Sequence, residues 1–129
     1  MPITYDASPL EALVFDFTSN TPDIGAGLPI GVLPRGAKIV RAYAYVREGF
    51  NAGGNDLLSC GINPASGEFG INIDVSTVGM RELAGFIDSV PLNNGGPLSV
   101  DRTIYARYTQ TGTAATAGKA RIVVEFTRA

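Results

Sequence analysis

Of the twelve carboxylates, Asp74, Asp88 and Asp101 lie on or beside extended runs where acid–base work could be arranged, and the one thiol is Cys60. Two carboxylates divide acid and base roles only when they sit together. Nothing in the spacing here singles out a pair, and these acids read as turn-capping and solvent-facing groups. Cys60 lies inside the apolar run DLLSCGI with no base beside it, the setting of a small hydrophobe and not of an activated thiolate. Histidine is absent, which removes imidazole-based triads and the commonest metal ligand. The stretch GAGLPIG (25–31) has Gly-x-Gly-x-x-x-Gly spacing, holds a proline and opens no helix, so it is a loop and not a phosphate cradle. Residues 53–56 (GGND) lack the alternating oxygen ligands and distal glutamate of a calcium loop. No catalytic residues, no metal and no cofactor are expected, and an enzyme is improbable on these grounds.

The elements that would position any site are strands. Sixteen glycines and eight prolines punctuate the chain, and between them lie short runs of period-two alternation. LVFDFT (13–18) sets Leu13, Phe15 and Phe17 against Val14, Asp16 and Thr18, and AKIVRAYAYVRE (37–48) is the longest run. Further strands are expected at 28–33, 56–62, 69–76, 86–92, 102–111 and 119–127. Helical signals are weak. SPLE (8–11) has capping-box form but turns at once to strand alternation, so residues 1–12 are expected to be an arm or a single helical turn. TVGMRELAGF (77–86) predicts a helix of at most two turns between Gly79 and Gly85. About eight short strands and almost no helix predict an all-β, jelly-roll-like antiparallel sandwich over residues 13–129. FNAGGND (50–56) is expected to make a tight hairpin, and TGTAATAGK (111–119) a flexible, solvated tip.

A chain of 129 residues suffices for one domain with a core that needs no staples, and its single cysteine excludes an internal disulfide. No basic segment leads into an apolar run and no apolar run approaches a membrane span, so the expectation is a soluble protein made in a cytoplasm. The net charge of −2 with scattered basic residues argues against nucleic acid as a partner. Charged residues make up only 17% of a chain that is 45% hydrophobic, which leaves apolar surface for a partner. Eight of the ten basic residues are arginine, the direction in which interfaces depart from ordinary surface.

In the run 37–48, Val40, Ala42, Ala44 and Val46 are read as the core face, and Arg41, Tyr43, Tyr45 and Arg47 as the outer one. The last two strands divide in the same way. Ile104, Ala106, Tyr108, Ala120, Ile122, Val124 and Phe126 face inward, opposite Tyr105, Arg107, Arg121, Val123 and Glu125. If the three strands share a sheet, Arg41, Tyr43, Tyr45, Arg47, Tyr105, Arg107 and Arg121 form one face offering stacking and bidentate hydrogen bonds to a protein surface.

The run LPRGAKIVRAYAYVREGFNAGGNDLLSCGI (33–62) and the ending GKARIVVEFTRA (118–129) resemble the head decoration, or cement, proteins of tailed bacteriophages. The shared pattern is a Leu-Pro-x-Gly-Ala turn, a long strand ending in Val-x-Glu-x-Phe, a Gly/Asn/Asp connection and a strand closing on Gly-Ile. The resemblance implies a jelly-roll or sandwich subunit, a homodimer or homotrimer, that docks on the capsid exterior and clamps neighbouring major capsid subunits. It brings no catalytic residues with it. A competing expectation is a carbohydrate- or receptor-binding sandwich using Tyr43, Tyr45 and Tyr105 as its platform, and a third is a tail or vertex component of the virion.

Overall fold

A computed structural model describes residues 9–128. Its strands are β1 (Glu11–Thr18), β2 (Leu28–Leu33), β3 (Ala37–Glu48), β4 (Asp56–Gly61), β5 (Gly70–Asp74), β6 (Gly79–Glu82), β7 (Arg102–Gln110) and β8 (Lys119–Arg128). They form two antiparallel four-stranded sheets, a front sheet in the order β1-β8-β3-β6 and a back sheet in the order β2-β7-β4-β5. Each strand thus pairs with its mirror partner about the β4–β5 turn, β1 with β8, β2 with β7 and β3 with β6, as in a long hairpin rolled up on itself. That is jelly-roll topology. Every connection except β4–β5 crosses from one sheet to the other.

The period-two pattern explains the core. Phe17, Ala42, Ala44, Val46, Leu58, Cys60, Ile104, Ala106, Tyr108, Ala120, Ile122, Val124 and Phe126 all point between the sheets and are buried. At one end Phe50 stands between Phe17 and Tyr108, with ring centroids 5.5 and 4.8 Å away. Burying the Tyr108 hydroxyl requires a partner, and it donates to Asp56 Oδ1 at 2.5 Å, the same oxygen that accepts from the Ala52 N–H at 3.0 Å.

Several expectations give way here. Residues 77–86 do not form a helix: Gly79–Glu82 pair with β3, and Gly79 takes φ +142°, which a helix forbids. Residues 86–92 do not form a strand. Phe86 closes a 3-10 turn (Ala84–Phe86) and a second, irregular turn spans Val90–Gly95, where Pro91 supplies no ladder donor. Phe86 and Leu92 are buried but Val90 is 83% exposed, so the apparent alternation was not one face of a strand. β1 opens at Glu11, and residues 1–8 of the expected arm or helical turn lie outside the described residues.

The segment 50–56 is no hairpin either, because β3 and β4 belong to different sheets. Its glycines serve close approach and not positive φ: a Cβ on Gly54 would lie 2.3 Å from Thr111 Oγ1, and one on Gly53 would lie 3.0 Å from the Thr113 nitrogen. What they approach is the 111–118 crossover. Rather than a free tip, this crossover is fastened by Gly53 N–H to Thr113 O and Gly54 N–H to Thr111 O, both 2.8 Å, and by Asn51 Oδ1, which accepts from Thr116 and Ala117. Small, uncharged side chains signal room for another chain segment as well as they signal mobility.

Candidate interaction face

The outward residues of the front sheet form rows fixed by register. Asp16, Arg121, Tyr45 and Met80 lie across one row, Val14, Val123, Tyr43 and Glu82 across the next, and Glu125 and Arg41 continue the third. Directly opposed side chains on one face are close enough to interact. The middle of this face is apolar, with Val14 49%, Tyr45 40% and Met80 46% exposed, whereas Val123, flanked in register by Val14 and Tyr43, is only 7% exposed.

The charges around it are already paired. Arg121 makes a bidentate contact with Asp16, Nε to Oδ1 at 2.7 Å and Nη2 to Oδ2 at 3.1 Å. Arg41 Nη2 donates to Glu82 Oε1 at 2.6 Å, and its guanidinium carbon stands 4.8 Å from the Tyr43 ring centroid. The hydrogen bond from Arg121 holds the Asp16 carboxyl below its ordinary value, and the carboxylates Asp16 and Glu82 hold Arg121 and Arg41 above theirs. Such a rim needs little further ordering on contact with a partner, which lowers the entropic cost of docking. Arg47 differs. It is the extra residue of a bulge between Val46 and Glu48, makes no ion pair among the described residues, and lines a cleft of about 240 Å³ with Asp16, Thr18, Thr21 and Lys119.

The structure therefore brings together five of the seven expected residues, Arg41, Tyr43, Tyr45, Arg47 and Arg121. Tyr105 and Arg107 are not with them. Their strand, β7, lies in the back sheet, so both face outward on the opposite side of the sandwich, half-buried, with Pro29 and Gly61 flanking Tyr105 and Ser59 beside Arg107. The same division separates Tyr105 from Tyr43 and Tyr45, and no three-tyrosine platform is assembled. Val40 is also corrected: a bulge between Ile39 and Arg41 inserts it as an extra residue, which buries Ile39 and leaves Val40 53% exposed.

Met80, Glu82 and Val14 complete the face without having been assigned to it. The alternation of β1 already placed Val14 and Asp16 opposite its core side, but Met80 and Glu82 were hidden by the helical reading of 77–86. Asp74 behaves as a turn cap, its Oδ1 accepting from Ser76 N–H at 2.8 Å, whereas Asp101 Oδ1 accepts across the fold from Arg35 N–H at 2.7 Å. Cys60 is buried, and desolvation pushes its thiol up to about 12, far from a reactive thiolate at neutral pH.

No protein-family model matches the chain, and no curated protein matches it by sequence. Solved structures do match it. A chain in the cyanophage Pam1 capsid asymmetric unit is similar at a TM-score of 0.64 and 11% identity, covering 100% of this chain and 91% of that one. One in the capsid of Ralstonia phage GP4 gives 0.60 and 19%, again over 100% and 91%. One in the acidic stable capsid structure of Helicobacter pylori bacteriophage KHP30 gives 0.55 and 12%, over 92% and 88%. The likeness is one of fold: over nearly its whole length this jelly roll has the architecture of chains found in three phage capsid structures.

Proposed function

We propose that this protein is a structural component of a tailed-bacteriophage virion that docks on the capsid exterior and cements neighbouring major capsid subunits, acting as a homo-oligomer. The observation that carries the reading is the whole-length match of its fold to chains within three phage capsid structures. The front sheet supplies the surface: an apolar centre with tyrosines, flanked by Arg41 and Arg121, whose charges are already neutralised by Glu82 and Asp16, and by Arg47, which has no ion-pair partner among the described residues. Cementing by such a protein requires no single tight contact. Interfaces of standard size bury about 800 Å² per partner, and an oligomer that touches two shell subunits gains further from effective concentration.

Quantitative mass spectrometry of purified particles tests the proposal. The expected result is a copy number comparable to that of the most abundant shell protein. A few copies per particle would instead identify a tail or vertex component, and absence from the particle would overturn a virion role and reopen glycan binding. On particles, the double substitution Arg41→Ala with Arg47→Ala is expected to stay folded and to dock more weakly than wild type. Docking that is unchanged would remove the front face from the interface.

A further inference from the structure

The four edges of the sandwich are unequal. β2 is interrupted by Pro29 and by a register shift between Pro29 and Gly31. β5 carries Asn72 at φ +52° and pairs with β4 through a register shift, and β6 is four residues long and starts at a glycine with φ +142°. These are the devices by which edges are kept from pairing with other chains. β1 has none of them. It runs for eight residues in unbroken register with β8, contains no proline, glycine or lysine, and has no strand beyond it among the described residues. Every second residue of such an edge directs its N–H and C=O away from the sheet. Beside it the mouth of the sandwich is open: Leu13 and Phe15 of β1 and Leu28 and Ile30 of β2 face the core yet remain half-buried.

We infer that the β1 edge is a subunit seam, occupied by β1 of a second copy in antiparallel pairing about a two-fold axis at Val14. The inference deepens the homo-oligomer of the proposed function. The centre of β1 is self-complementary in that register. Val14 opposes Val14, Leu13 opposes Phe15 on the core side, and Ala12 opposes Asp16, whose carboxylate is already held by Arg121. No like charges meet. Glu11 faces Phe17 at the ends of that register, which pairs residues 11–17 of each strand, whereas one centred on Leu13 pairs only 11–15 and one centred on Phe15 sets Asp16 against Val14 next to its centre. The occupant is a second copy rather than a foreign strand because the pairings at the centre, Val14 with Val14 outside and Leu13 with Phe15 inside, are apolar and self-complementary about the two-fold axis, as an isologous contact demands. The two front sheets become one eight-stranded sheet.

Native mass spectrometry and concentration-dependent melting of the free protein test this without any capsid, so failure here and failure of the docking role are read in separate experiments. The wild-type chain is expected to be a dimer whose melting temperature rises with concentration. Val14→Lys, at an exposed position, sets two lysines opposite each other, and is expected to be a folded monomer whose melting no longer depends on concentration. Val14→Cys places two thiols at the cross-strand spacing that suits a disulfide, and mild oxidation is expected to yield a reducible covalent dimer, while Val32→Cys on the β2 edge yields none. A monomeric or trimeric wild type, a Val14→Lys dimer, or a Val14→Cys chain that fails to cross-link would each overturn the seam. Should Val14→Lys misfold, the cysteine pair decides.

Discussion

The two open sides of the sandwich are finished in different ways. On the β5/β6 side the chain covers itself. Where β6 ends, Leu83–Leu98 runs on beside β3, with Leu83 N–H bonded to Ala42 O and Leu98 N–H to Ala37 O at 3.0 Å, and it buries Leu83, Phe86, Leu92 and Leu98. Phe86 stacks on Phe69 at 4.7 Å, and the Arg81 guanidinium wraps the β5–β6 crossover through Asp74 O, Thr77 O and Thr77 Oγ1. On the β1/β2 side the shorter connection 19–27 plugs only one end, through buried Ile24, whose carbonyl accepts from Tyr108 N–H at 2.9 Å, and Leu13, Phe15, Leu28 and Ile30 stay half-buried. A chain that seals one edge of its core with a long connection and leaves the other a regular strand has separated the edge that serves its own stability from the edge available to others.

The contrast is open to direct attack, beginning where the effect is largest. Phe86→Ala removes a fully buried ring from the sealed side and is expected to cost about 3–5 kcal/mol in denaturant unfolding. Phe15→Ala, measured at dilution, is expected to cost about half as much because its ring is only partly withdrawn from water. Equal losses would mean that the two sides are closed alike. Cys60 reports on the sealed side in particular, since its carbonyl accepts from Phe69 N–H at 3.0 Å and it pairs with Gly70. Its labelling by a thiol reagent under native conditions is expected to accelerate in Phe86→Ala and to change little in Phe15→Ala.

A smaller effect comes from pH. Burial pushes the Cys60 thiol up to about 12, and burial followed by the hydrogen bond to Asp56 raises the Tyr108 hydroxyl. Both groups hold their proton more tightly in the folded chain. Their contribution is therefore complete below the ordinary thiol value of 9.0 and is lost as pH rises from there, at about 1.4 kcal/mol per pH unit for each group ionised in the unfolded state. Stability that stays level between pH 9 and 11 would show that water reaches this interior. The smallest effect belongs to the open side. Asp16, whose pKa is lowered chiefly by its hydrogen bond to Arg121, contributes stability above the ordinary carboxylate range that fades as pH falls through it. Because the pair is exposed, Asp16→Asn should barely move the melting temperature, and less still in high salt.

How much of this was legible in the sequence follows from what alternation can and cannot encode. Seven of the eight strands stand out as period-two runs, and within β7 and β8 the division into inward and outward residues is correct at every position. Alternation assigns a side chain to one of two faces of its own strand. It does not say which sheet the strand joins, and so Tyr105 and Arg107 were grouped with residues on the far side of the molecule. Nor does it register a bulge, which costs one residue and flips the phase, as at Val40. In the connection before β7 the apolar residues Phe86, Val90 and Leu92 mimic a strand by their spacing, although Phe86 and Leu92 are buried as plugs under turns and Val90 is not buried at all. The five residues of the front face were legible because β3 and β8 lie side by side.

The mirror pairing of the strands also bears on when this protein can exist. Among the described strands, β1 finds its one partner in β8, the last of them to be made, and β2 likewise waits for β7, while β4 and β5 can pair as soon as they are made. Closure of the long loop between β1 and β8 must precede the pairing of Phe17 with Ala120 and of Phe15 with Ile122, which favours slow, all-or-none folding once β8 has been made. A truncated product, lacking β8, would strand β1 and uncover the inner face of β3 together. Translation errors that remove β8 would then be screened by solubility.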